Sequence, residues 1–168
     1  MAIVVVARAR RRQIDVLSRL DGDRAQVVQR FERQRRRGGM LFLAKDGEAV
    51  VGQLYVRLDR PEEPELARFW PHTPFLERAL VAERHRSRGV GTELFAAAER
   101  WLRKRGHRSV ALAVGTENKD ARRLYERLGY RDWAVVLCRA RGAHPGTPPA
   151  EVCMVMTKSL LERGGRTG

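Results

Sequence analysis

Apolar and polar positions divide the chain into a run of short, well-separated elements. AIVVVARA, residues 2–9, is β-branched and predicts a first strand. Over residues 10–37 the apolar positions are Ile14, Val16, Leu17, Leu20, Val27, Val28 and Phe31, broken by LDGD, which predicts two helices joined at Gly22. GGMLFLAKDGEAVVGQLYVRL holds two strand-like runs either side of Asp46-Gly47, a dipeptide that tolerates the positive φ angles of a tight hairpin turn. DRPEEPELARFWPHTP, with four prolines and four acids, reads as an unusually long loop of the kind that covers binding sites.

The second half alternates more regularly. FLERALV, residues 75–81, predicts a strand, and from Val90 the positions Leu94, Ala97, Ala98, Trp101 and Leu102 recur at steps of three and four. That spacing predicts an amphipathic helix ending near Gly106. SVALAV is a fully apolar strand suited to the middle of a sheet. ENKDARRLYERLGY predicts a second helix with the stripe Ala121, Leu124, Tyr125 and Leu128, stopped at Gly129. RDWAVVLCRA and EVCMVMTKSL are two further strands separated by the Gly/Pro-rich RGAHPGTPPA. This order implies one mixed α/β sheet, antiparallel at its start and parallel at its middle, in a single domain over residues 1–162. Residues 163–168 read as a disordered tail.

Composition changes this picture less than its extremes suggest. The 168 residues carry a formal net charge of +14, which favours an acidic partner such as nucleic acid, an anionic membrane or a phosphorylated ligand. The basic residues are 30 Arg and 4 Lys, a skew that codon bias in a GC-rich genome would also produce. Residues 1–37 hold eleven arginines against four acids, yet no aromatic stacking pattern accompanies them. Cys138 and Cys153 have neither disulfide-scaffold density nor zinc-site spacing and read as buried packing thiols. His72, His85, His107 and His144 show no metal-ligand spacing, so no metal is expected. No segment approaches the ~20 apolar residues of a membrane span, and the opening charges follow the apolar run, the reverse of a secretory signal. A cytoplasmic protein without a membrane partner is the expectation.

The stretch ERHRSRGVGTELFAAAERW, Glu83–Trp101, carries the first chemistry. A glycine-rich loop opening a helix offers backbone N–H groups without intrahelical partners, reinforced by the helix dipole. Gly89 and Gly91 let a backbone approach an anion closely, and Arg86 and Arg88 add charge, so the natural guest is a pyrophosphate. The chain has no Gly-Lys-Ser/Thr for a triphosphate loop, and Phe95 stands where a dinucleotide fingerprint needs its third glycine.

R-x-x-G-x-G at Arg86–Gly91, followed by N-x-x-A-x-x-x-Y-x-x-x-G-Y from Asn118, resembles the GNAT N-acyltransferase superfamily over about 55 residues, from ALVAERHRSRGVG to LGYRDW. The resemblance implies a GNAT-like fold: antiparallel N-terminal strands, splayed parallel central strands and helices on both faces. It implies acetyl-CoA as co-substrate and an N-acetyltransferase moving an acetyl group to a primary amine by direct ternary-complex transfer. The pyrophosphate would rest on Arg86, Ser87, Arg88, Gly89, Val90 and Gly91, with Thr92 opening the helix, and the main chain of Val81 would pair with the pantetheine arm. Asn118 matches a pantetheine-contacting residue, and it is equally an N-cap. Tyr125 matches the phenol that protonates the leaving thiolate, and it is also a stripe aromatic. Glu77 is the candidate base, on the same strand face as Val81 by period-two counting, ahead of the solvated Glu83 and of His72. A fourth-strand N–H would polarise the carbonyl.

The acceptor stays open between a small-molecule amine and a macromolecular one. A basic nucleic-acid-binding module, or an acyltransferase acting on a tRNA-linked or protein amine, is the alternative; Glu62, Glu63 and Glu65 would instead attract a cationic amine. A homodimer contacting through the last strands is also compatible with the resemblance.

Overall fold

β1 (Val4–Arg8) is followed by two helices, α1 (Ile14–Asp21) and α2 (Arg24–Arg35), joined at Gly22, whose φ of 83° is the left-handed cap that Gly supplies at no steric cost. The computed structural model describes residues 4–138 and 151–161; the expected tail over 163–168 and the Gly/Pro-rich segment 141–150 lie outside them. β2 (Gly39–Asp46) and β3 (Ala49–Arg57) form the expected hairpin. Asp46 pairs with Ala49, so the loop is Gly47–Glu48 and only Gly47 has positive φ, one residue later than Asp46-Gly47 implies.

The long acidic loop contains an element that its prolines hide. α3 (Pro64–Phe69) begins with Pro64 in its first turn, where a missing N–H costs nothing, and buries Leu66 and Ala67. β4 (Phe75–Val81), α4 (Val90–Arg103), β5 (Ser109–Gly115), α5 (Lys119–Arg127), β6 (Arg131–Cys138) and β7 (Glu151–Ser159) then follow as the periodicities predict. The seven strands lie in the order β1-β2-β3-β4-β5-β7-β6. Every neighbouring pair is antiparallel except β4 and β5, which are parallel.

Strand alternation sorts the side chains onto two faces. On one, α4 and α5 cover Phe42, Leu54, Val56, Leu76, Leu112 and Met156. On the other, α1 and α2 cover Leu41, Leu43 and Tyr55, while α3 covers Phe75, Ala111 and Val155. Helices therefore lie on both faces of one mixed sheet, as expected from the sequence. β6 is an outer strand, and Val135, Leu137 and Val152 of β6 and β7 are exposed apolar residues. No helix among the described residues is long and apolar enough to cross a membrane.

β4 departs from simple alternation. Tyr55 pairs with Glu77 and Gln53 with Leu80, so β4 spends one residue more than β3 over this span. The extra residue falls at Arg78, which has a φ of 55°. Glu77 and Val81 consequently face opposite sides of the sheet, correcting the period-two placement. On its other side β4 pairs with β5 only at Phe75↔Ala111 and Leu76↔Leu112, and the strands part beyond that point.

A buried carboxylate holds the irregular residue. The Asp21 side chain is fully shielded; its Oδ2 accepts from Arg30 Nη1 at 2.7 Å, Gln53 Nε2 at 2.6 Å and Arg78 Nε at 3.3 Å. Arg78 Nη2 also donates to the Asp21 carbonyl at 2.9 Å. Burial alone would push the Asp21 carboxyl up, but the Arg30 charge and the bonds from Arg78 and Arg30 outweigh it and hold the group below its usual range. Removing the carboxylate strands two guanidinium groups, so Asp21→Ala should cost about 3–5 kcal/mol by chemical denaturation at pH 7. A depressed folded value means stability that is complete above the ordinary carboxyl value near 4 and lost as pH falls through the lower one. The denaturant midpoints of the wild type and Asp21→Asn should therefore converge below about pH 4; parallel curves would remove Asp21 from acid unfolding.

Candidate active site

The loop before α4 has the backbone of an anion nest. A short 3-10 turn, Glu83–His85, leads through Arg86 in extended conformation to Ser87 at φ 59° and Gly89 at φ 80°, with Arg88 between them outside the left-handed region. Alternating conformations of this kind turn successive N–H groups toward one point. The helix ladder begins with Glu93 N–H donating to the Gly89 carbonyl at 3.0 Å, and no side chain caps the end. The amides of Val90, Gly91 and Thr92 therefore precede the helical bonds. One member of the expected set differs. The Arg86 amide donates to the Glu83 carbonyl at 3.1 Å, while its Nε donates to the Val81 carbonyl at 3.2 Å, so Arg86 ties the loop to the end of β4.

Where β4 parts from β5, a cavity of about 330 Å³ opens through the sheet. Its walls come from both faces. Phe95, Asn118 and Tyr125 line it from the α4/α5 side; Arg57, Glu63, Leu66 and Glu77 line it from the α3 side. Leu76, Leu80, Leu112 and Val114 form the rim between them. The volume lies in the range of small-molecule sites. The long acidic loop does line this site, through Glu63 and Leu66 of the segment around α3, as its length suggested.

Tyr125 is half-buried, its ring 5.5 Å from Phe95 and 6.3 Å from Tyr130. Burial pushes its phenol above the ordinary tyrosine value, so the hydroxyl keeps its proton. Asn118 does cap α5: its Oδ1 accepts from the Ala121 N–H at 3.2 Å, and the residue also lines the cavity. Glu77 lies in the cavity wall, with Arg57 Nε donating to its Oε1 at 2.7 Å. Val81 stands at the end of the parted strand, paired with Gly52 on its other edge. Glu83 and His72 are exposed and do not line the cavity. Tyr125, Asn118 and Glu77 are thus brought together, while the loop Arg86–Thr92 stands apart from the cavity walls, at the α4 end of the same parted strand.

Several residues here escaped the sequence pattern. Arg57 is 2% exposed and its guanidinium lies 5.1 Å from the Phe75 ring centroid. Its signal was a charge at an inward position of a largely apolar strand. Glu99 is its counterpart on α4, a buried carboxylate that accepts from Tyr130 Oη at 2.9 Å and Lys158 Nζ at 2.7 Å, tying the helix to β7. Cys138 and Cys153, read as packing thiols, are buried but also line the cavity. Bonding from Cys138, with burial, pushes the Cys153 thiol up. The arginine excess of the first helices is partly spent on the protein's own acids: Arg11 and Arg35 pair with Glu32, Arg24 with Asp15, and Arg33 with Glu62. No cluster of three or more His, Cys, Asp or Glu that could hold a metal occurs among the described residues.

The residues of the loop fit a pyrophosphate on geometric grounds. A Cβ added at Gly89 meets nothing within 4 Å, and at Gly91 only Leu124 Cδ2 at 3.9 Å, so the ground above the nest is open. This gives the two glycines opposite energetics. Gly89→Ala should cost about 1–2 kcal/mol through its left-handed φ, whereas Gly91→Ala in the first helical turn should stabilise by up to about 1 kcal/mol. Thermal unfolding of both variants checks the pair; equal shifts would contradict the nest geometry.

The sequence model described as the acetyltransferase (GNAT) family matches residues 6–130. An uncharacterized N-acetyltransferase of Methanocaldococcus jannaschii is 44% identical over 69 residues, 36% of this chain and 30% of that protein, so the chain spans less than a third of that curated relative's length. Among solved structures, an N-acetyltransferase from Staphylococcus aureus Mu50 is similar with a TM-score of 0.74 at 11% identity, covering 95% of this chain and all of the other. A GNAT family acetyltransferase from Elizabethkingia anophelis with acetyl-CoA bound gives 0.64 at 15% identity, covering 93% and 97%. At these identities the structures share the fold.

Proposed function

The chain belongs to the acetyltransferase (GNAT) family, and on that premise we propose that it is an acyl-CoA-dependent N-acyltransferase. Acetyl-CoA is the co-substrate, and a primary amine accepts the acetyl group directly in a ternary complex. The observation that carries this reading is the parting of β4 from β5 after Leu76 and Leu112, with the nest of Ser87–Thr92 at the far end of the same gap. A parted strand leaves backbone donors and acceptors without ladder partners, which an extended amide-containing arm can satisfy.

The acyl thioester supplies an electrophilic carbonyl and a thiolate leaving group. Val81 and its neighbours on β4 orient the arm through main-chain bonds, and the amides of Ser87–Thr92 bind the pyrophosphate. A β4 N–H on the open side polarises the carbonyl in a site shielded from water. Glu77 takes a proton from the incoming ammonium, and Tyr125, kept protonated by burial, delivers one to sulfur. Net, a nitrogen–carbon bond forms, a carbon–sulfur bond breaks, a thiol leaves and one proton goes to solvent. Asn118 both caps α5 and contacts the arm from the cavity wall. The exposed apolar residues Val135, Leu137 and Val152 support a homodimer contact at the last two strands.

Calorimetric titration with acetyl-CoA at moderate salt should give saturable one-site binding; folded protein showing none at 1 mM ligand overturns the reading. Tyr125→Phe should lower kcat by about 100-fold with little change in KM for acetyl-CoA. Because the acid must be protonated and its value is raised, the alkaline limb of wild-type kcat should lie above pH 10. A limb near neutrality would remove Tyr125 from proton delivery.

A further inference from the structure

The side of the cavity under α3 carries a charge arrangement that N-acyl transfer to an arbitrary amine does not need. Arg57 is almost completely buried and lines the cavity, yet its Nη1 and Nη2 have no hydrogen-bond partner among the described residues. Only Nε is committed, to Glu77 at 2.7 Å. The carboxylates of the same wall differ: Glu77 and Glu63 are both engaged. A buried guanidinium with its planar fork unsatisfied is costly by itself and is geometrically matched to a carboxylate.

The rival chemistry is a polycationic acceptor drawn by Glu63, Glu77 and Glu151. A polycation would meet the positive charges of Arg57 and Arg78 in the same wall. An acceptor with adjacent opposite charges meets no such conflict. Its ammonium lies against Glu77 and its carboxylate against Arg57 Nη1 and Nη2, mirroring the protein's own adjacent pair. Leu66, Phe75 and Leu112 supply apolar wall for a side chain.

We infer that Arg57 reads a carboxylate next to the reacting amine, so the acceptor class is the free α-amino acid, with an apolar side chain favoured. This rests on the acyltransferase reading of the same cavity and gives it a substrate class. Glu77 accepts the proton; Arg57 positions the acceptor and sets its specificity.

The test needs no variant to be decisive. With acetyl-CoA as donor and free-thiol release as readout, leucine, methionine and phenylalanine are each compared with their primary amides and with the amines that lack the carboxyl group. The wild type should turn over the amino acids with kcat/KM about 10- to 100-fold above either analogue, mostly through KM. In Arg57→Lys, which keeps the charge and loses the fork, that ratio should fall toward one. Should the variant not fold, the wild-type comparison stands alone. Acetyl-CoA binding accompanied by equal use of amines and amino acids, or by no turnover of any amino acid, overturns this inference. Absence of acetyl-CoA binding instead overturns the acyltransferase reading beneath it.

Discussion

One buried carboxylate sets the geometry on which the rest depends. Arg78 occupies a left-handed backbone conformation that a residue with a Cβ adopts at a cost of order 1–2 kcal/mol. Asp21 holds it there through the Arg78 guanidinium, and Arg30 and Gln53 complete the shell that makes a buried charge tolerable. Because Arg78 is the extra residue of β4, the strand changes face at that point. Glu77 is thereby turned toward α3 and Val81 toward α4. A helix end 57 residues upstream in the chain thus determines which side of the sheet each candidate group serves.

The resulting division is a separation of labour by face. On the α4/α5 side stand the nest and a phenol packed among Phe95 and Tyr130, where burial keeps the proton on oxygen. On the α3 side stand the Arg57–Glu77 pair and Phe75. The gap between β4 and β5 joins them. Glu99 does for α4 what Asp21 does for α1: its carboxylate fastens the helix to Tyr130 and Lys158, so the helix that presents the nest is anchored at its middle. Two buried carboxylates on opposite faces fix the two halves of the site.

Much of this was legible in the residues, for physical reasons that also explain the failures. The strands and long helices announce themselves because their apolar positions repeat at two or at three and four residues, and Gly22, Gly89 and Gly129 mark ends that need positive φ. The loop was readable because a backbone-built anion nest needs glycine at fixed places, and the Asn118–Tyr125 helix because its apolar stripe stops at Gly129. α3 was not, since four prolines mask a turn in which one proline is welcome. The bulge at Arg78 was not either: nothing local in FLERALV distinguishes it, because the residue that stabilises it lies in α1. Arg57 was a visible anomaly, a charge at an inward strand position, but its meaning required the partner across the strand pair.

An open sheet ordinarily has two edges, each a liability because its unpaired backbone invites another chain to add on and aggregate. Among the described residues this sheet has four. Besides β1 and β6, the facing borders of β4 and β5 beyond Leu76 and Leu112 are edges turned toward each other. They carry the same unsatisfied groups as an outer edge, yet they are walled by helices on both faces and flanked by the other strands. A second sheet or a growing fibril cannot reach them, while a single slender chain can slide in. The fold thereby keeps a reactive border exposed to small guests without exposing it to other proteins, which an outer edge strand could not do.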